Sequence, residues 1–102
     1  MQKINELRLA KELIGFPSIT PVDAGVMNFL RKKLKKLGFK TKTITFKDKK
    51  HKPVKNLYAR LGNKNPNFCY AGHLDVVPPG NLSDWTVNPF KPKVKKGHLI
   101  GR

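Results

Sequence analysis

Two apolar rhythms run along this chain, a helical one first and an extended one after Gly38. Over residues 3–14, Ile4, Leu7, Leu9, Leu13 and Ile14 recur at roughly helical spacing among Glu, Lys and Arg, which predicts a first helix. Gly15 and Pro17 stop it, and Phe16-Pro17-Ser18-Ile19-Thr20-Pro21 reads as a connecting loop. A second helix is predicted from about Val22-Asp23, with Thr20 or Asp23 as candidate cap. Val26, Phe29, Leu30, Leu34 and Leu37 form its buried stripe at i, i+3, i+4 spacing. Arg31, Lys32, Lys33, Lys35 and Lys36 take the other face, towards the C-terminal end where cations suit the helix dipole. Gly38 is the stop signal.

Beyond it the period becomes two. Phe39, Thr41, Thr43 and Thr45 alternate with Lys40, Lys42, Ile44 and Phe46, a strand rich in β-branched residues. Lys47 to Pro53 is a charged turn, residues 56–61 a second strand, and residues 62–67 another turn. Phe68 to Val77 is the most apolar run and predicts a third strand, central in a sheet. Pro78-Pro79-Gly80 ends it, and Lys93-Val94, Lys95-Lys96-Gly97 and His98-Leu99-Ile100 predict a further strand or short hairpin. Two helices followed by about four strands indicate an α/β or α+β class, within a single domain at 102 residues.

Charge changes this picture more than composition does. The net charge of +16 would suit a polyanion such as nucleic acid or an anionic membrane surface. The basic residues are mostly Lys, however, without the Arg and interleaved aromatics of a nucleic-acid surface, so they read as a solvated face. No apolar run nears the roughly 20 residues that cross a bilayer, which excludes a spanning helix within the sequence. The N-terminus has no signal-peptide core, and the one cysteine, Cys69, precludes an internal disulfide; both fit a cytoplasmic protein. Between Lys64 and Lys91 there is no Lys or Arg, and this gap holds Asp75 and Asp84. A site for a cation would want such a gap.

Inside the gap lies Y-A-G-H-L-D-V-V-P-P-G, residues 70–80. On a strand, His73 and Asp75 point to one side. Asp75 could hold one imidazole N–H, fix the tautomer and sharpen the other nitrogen as a metal ligand. The same pair could serve as base and orienter of a nucleophilic triad, or be an ordinary hydrogen bond at a strand end. Cys69 shares the parity of His73 but lies four residues away, roughly 13 Å on a strand at about 3.3 Å each, too far to share an ion. It reads as a small core residue. His51, in the charged turn, has no partner at metal-ligand spacing.

The wider pattern resembles a known family. A-G-H-L-D-V-V-P-P-G, then Asp84-Trp85, Asn88-Pro89-Phe90 and Lys96-Gly97-His98-Leu99-Ile100-Gly101-Arg102, is similar to the opening of the dizinc amidohydrolases and exopeptidases, of acetylornithine deacetylase and carboxypeptidase G type. The desuccinylase pattern G-H-x-D-V-V-P-P-G is the nearest within it, and Pro17-Ser18-Ile19-Thr20-Pro21, Asp23-Ala24-Gly25 and Leu37-Gly38-Phe39 fit that branch too. The resemblance implies the N-terminal part of a zinc-exopeptidase-like αβα sandwich with a mixed sheet. It implies His73 as ligand to one of two zinc (or cobalt) ions and Asp75 as the catalytic-site carboxylate that orients it. A small N-acylated amino acid would be the substrate, N-succinyl-LL-2,6-diaminopimelate in the desuccinylase branch, with acetylornithine deacetylase-like activity as the alternative.

Measured against that family, the ligand set is partial. A catalytic zinc normally takes three protein ligands and keeps one position open. The family's bridging aspartate, Glu-Glu pair and later ligands follow its Gly-Arg motif, and His51 and His98 are not spaced to replace them. The expectation is therefore a partial catalytic domain over residues 1–102, without the lid and homodimerisation domain, inactive unless complemented by a C-terminal chain. The contrasting expectation is a basic nucleic-acid-binding module on a reused scaffold.

Overall fold

The computed structural model describes residues 3–102, so the first two residues of the charged N-terminal stretch lie outside the described residues. Helix α1 spans Glu6–Ile14, capped by Asn5, whose side-chain oxygen accepts from the Arg8 N–H at 2.9 Å. Helix α2 spans Val26–Lys36 and begins without either predicted side-chain cap. Its N-cap is Gly25 at φ 94°, after Ala24 at φ 52°. Two successive left-handed residues turn the chain sharply into the helix, and the second is one that only glycine adopts freely.

Strands β1 (Lys40–Phe46) and β2 (Val54–Arg60) form an antiparallel hairpin with Lys40 opposite Arg60 and Phe46 opposite Val54. Alternation puts Thr41, Leu57 and Ala59 on the half-buried face against α2. The opposite face leaves Phe46 and Tyr58 exposed. A second hairpin, β3 (Lys93–Lys95) with β4 (His98–Ile100), closes through Lys96-Gly97, both at positive φ as a two-residue primed turn requires. Two helices and small antiparallel sheets fit the α/β class.

The predicted third strand is the main departure. Residues 68–75 carry no strand, and Val76 makes only an isolated parallel bridge to Ile19. Phe68 is 91% and Tyr70 86% exposed. An apolar run becomes a central strand only if other strands satisfy its N–H and C=O groups on both edges and other layers cover its faces. Neither is present among the described residues, so Cys69 is exposed, contrary to its reading as a core residue.

The core is small and excludes Phe68 and Tyr70. Val26 is 1% and Val87 8% exposed, and the Phe16 and Phe29 rings meet at 5.1 Å between centroids. Lys33 lies over the Phe29 ring and reaches Glu12 at 3.5 Å, tying α2 to α1. Gly101 packs so closely that a Cβ there would stand 2.7 Å from Ile14 Cγ2 and 3.0 Å from Pro92 Cβ. This fixes the C-terminal strand end against α1. No helix among the described residues is long and apolar enough to cross a membrane.

Candidate metal centre

Residues 73–79 lack a sheet ladder, yet their backbone is held from three places: the Ser18–Thr20 loop, Trp85 and Arg102. The Ser18 hydroxyl donates to the Leu74 carbonyl at 2.9 Å. The Val76 N–H donates to the Ser18 carbonyl at 2.9 Å, and the Thr20 N–H donates to the Val76 carbonyl at 3.0 Å. Arg102 Nε donates to the Val77 carbonyl at 3.1 Å, and Trp85 Nε1 to the Pro79 carbonyl at 2.9 Å. Three of the stretches that carry the family resemblance, around Ser18, Trp85 and Arg102, thus converge on one segment.

That segment presents His73 to solvent, its side chain 83% exposed, with Asp75 beside it. His73 Nδ1 lies 2.9 Å from Asp75 Oδ1 and 3.0 Å from the Asp75 carbonyl oxygen. Both neighbours are acceptors, so Nδ1 carries the hydrogen and the lone pair sits on Nε2. The Asp75 hydrogen bonds and charge raise the His73 pKa above its ordinary value. The His73 hydrogen bond, followed by that of the Thr20 hydroxyl, holds the Asp75 carboxyl below the usual carboxylate range. Chemically this is a braced imidazole with one free basic nitrogen, which can ligate a cation or accept a proton.

Beside it Asp23 and Lys55 line a cavity of about 110 Å³ together with Ser18, Thr20, His73 and Asp75, and Arg60 lines a larger cavity that His73 also borders. Asp23 and Lys55 pair at 3.6 Å, so the one lysine facing the smaller cavity has its charge countered by Asp23. Among the described residues, no group of three His, Cys, Asp or Glu side chains lies together as a metal set.

The other candidates lie apart from this centre. His51 pairs through Nδ1 with Asp48 in the Lys-rich turn, Oδ2 at 2.8 Å and Oδ1 at 3.0 Å. His98 Nδ1 faces the Lys96 carbonyl at 3.0 Å on the second hairpin. Cys69 lies on the exposed stretch before His73. Ser18 enters the sequence pattern only as part of a motif, although a hydroxyl between Pro17 and Ile19 in an apolar loop is a signal for a buried hydrogen bond. It is 2% exposed.

No protein-family model matches the chain. Curated proteins do. It is 71% identical over 102 residues to the succinyl-diaminopimelate desuccinylase of Pelagibacter ubique (strain HTCC1062), covering 100% of this chain and 27% of that protein. It is 51% identical over 100 residues to the protein of that name from Wolbachia pipientis subsp. Culex pipiens, with 98% of this chain and 24% of that one covered. For Rhodospirillum centenum the values are 48% over 96 residues, 94% and 25%. The chain spans about a quarter of the length of the curated relatives it matches. With such identity sustained from its first residue to its last, the chain is a homologue of about a quarter of the curated proteins named succinyl-diaminopimelate desuccinylase.

Proposed function

We propose that this chain supplies part of the active site of a metal-dependent amide hydrolase that cleaves N-succinyl-LL-2,6-diaminopimelate into succinate and LL-2,6-diaminopimelate. The observation that carries this reading is the 71% identity along the whole chain to a protein named for that reaction. In it His73 is a metal ligand through Nε2, and Asp75 holds the tautomer through Nδ1. The residues present suit a zinc ion as one ligand with its brace: an exposed imidazole, an Nδ1–H aimed at Asp75 and a neighbouring lysine countered by Asp23. Bound zinc, in a pair as the family implies, would supply a water acidic enough to attack at neutral pH and would polarise the amide carbonyl. The rest of the ligand set lies outside these residues.

In the whole protein, residues 1–102 form a partial segment of the catalytic domain. Their hairpins join a mixed sheet within an αβα sandwich, and a separate lid domain mediates homodimerisation. A cytoplasmic location suits such a biosynthetic hydrolase. Hydrolysis is tested with the chain alone and with the chain joined to the remaining three quarters of the Pelagibacter ubique relative, each given zinc. The joined protein is expected to hydrolyse the succinylated substrate, the chain alone not, and His73→Ala in the joined protein to abolish activity. A folded, zinc-loaded joined protein that prefers N-acetylornithine would replace the substrate assignment. Full activity in His73→Ala would remove His73 from the site.

A further inference from the structure

We propose that Ser18 is a positioning residue for the His73–Asp75 pair, acting through the peptide between Leu74 and Asp75. The inference rests on the reading of His73 as a metal ligand. Its basis is geometric. The His73 imidazole reaches two oxygens of one residue, the Asp75 carboxylate at 2.9 Å and the Asp75 carbonyl at 3.0 Å. Both distances depend on how the Leu74–Asp75 peptide plane is turned, because that plane sets the direction in which Asp75 leaves the chain.

In a sheet, neighbouring strands would fix the plane. Here residues 73–75 belong to no strand. Among the described residues, the hydrogen bond on the Leu74 carbonyl comes from Ser18 Oγ at 2.9 Å. The same residue accepts from the Val76 N–H through its own carbonyl at 2.9 Å. Ser18 therefore brackets Asp75, gripping the carbonyl before it and the N–H after it. At 2% exposure its hydroxyl has no water to compete for that bond, and removing it would strand the Leu74 carbonyl. The next residue but one, Thr20, adds its N–H to the Val76 carbonyl at 3.0 Å. Ser18-Ile19-Thr20 is thus a strap that sets the direction of the carboxylate, and through it the imidazole.

The test reads the imidazole itself. In the full chain with ¹⁵N-labelled histidine, at a pH above the His73 titration, His73 is expected as the Nδ1–H tautomer. Ser18→Ala should convert a substantial share to Nε2–H and weaken cobalt(II) binding roughly 3- to 10-fold, somewhat less than loss of a direct outer partner costs. Ser18→Cys keeps the size and weakens the donor, so it should shift both readouts in the same direction even if the alanine variant folds poorly. Ser18→Thr keeps the hydroxyl, so it should restore both. If Asp75→Asn changes the tautomer and cobalt affinity while Ser18→Ala and Ser18→Cys leave both at the parent values, the role of Ser18 is overturned. If neither Asp75→Asn nor His73→Ala affects cobalt binding, the failure lies with the metal-ligand reading beneath it.

Discussion

The chain contains two imidazole–carboxylate pairs that look alike at close range and differ in everything around them. His51 and His73 each aim Nδ1 at an aspartate, with shortest separations of 2.8 Å to Asp48 and 2.9 Å to Asp75. The first pair is local: Asp48 also accepts the Lys50 and His51 backbone N–H groups, so one turn makes all its bonds. Lys47, Lys49, Lys50 and Lys52 crowd round it, and a cation approaching His51 meets their repulsion. The second pair lies in the stretch without Lys or Arg and is held by Ser18, a residue 56 positions from Leu74. A braced histidine is therefore not a metal centre by virtue of its brace. The electrostatic surroundings and the long-range anchoring separate the two.

The largest test of that contrast is removal of each imidazole. His73→Ala should lower the affinity for zinc or cobalt by about 100-fold, at or beyond the upper end of what outer-shell losses cost. His51→Ala should leave it within about twofold by calorimetry. Comparable losses in the two would erase the distinction.

Removing each carboxylate comes next. Asp75→Asn should cost about 10- to 100-fold in metal affinity, and Asp48→Asn should have no such effect. The same variants carry a pH signature. The His73 pKa is raised, so its pairing stabilises the fold fully below the ordinary imidazole value and is lost as pH rises through the raised one. The Asp75 pKa is depressed, so the pairing is present above the ordinary carboxylate value and lost as pH falls through the depressed one. The single interaction therefore spans the range between the two. An NMR titration should find His73 titrating above an unpaired histidine, and Asp75→Asn should return it downwards; an unchanged midpoint would break the pairing. Asp48, depressed chiefly by its His51 hydrogen bond, should hold its turn until pH falls below the ordinary carboxylate range.

A smaller effect is expected at Asp23, which sits 3.6 Å from Lys55 beside the site. Asp23→Asn leaves that lysine charge uncountered and should weaken cation binding by about threefold, an effect that salt reduces. Smallest of all is Phe68→Ser. With the ring 91% exposed, its stability in urea should stay within about 0.5 kcal/mol of the parent. A loss of 2 kcal/mol or more would mean that residues 68–72 are packed in solution.

Much of this was legible from the sequence wherever local chemistry decides the outcome. The apolar stripe of α2, the alternation of β1 and the Lys96-Gly97 turn all sit where their periods put them. The sidedness of His73 and Asp75 held, although the strand invoked for it did not form. What failed was non-local. Strand character in residues 68–77 depends on neighbours that a hydrophobic run does not specify, so Phe68 and Tyr70 face water. The start of α2 depended on Ala24-Gly25 taking left-handed backbone, which no side-chain cap signalled. The role of Ser18 is not legible in the sequence because its partner is remote along the chain, and only the fold brings the two together.

The central claim is that His73 offers Nε2 to a metal while Asp75 keeps a proton on Nδ1. It is tested most directly by following the ¹⁵N shifts of all three histidines during a zinc titration. The account predicts that His73 responds first, with a large shift at Nε2 and an Nδ1 that stays protonated, before His51 and His98 move. Zinc that reaches His51 or His98 first, or that binds His73 through Nδ1, would contradict it.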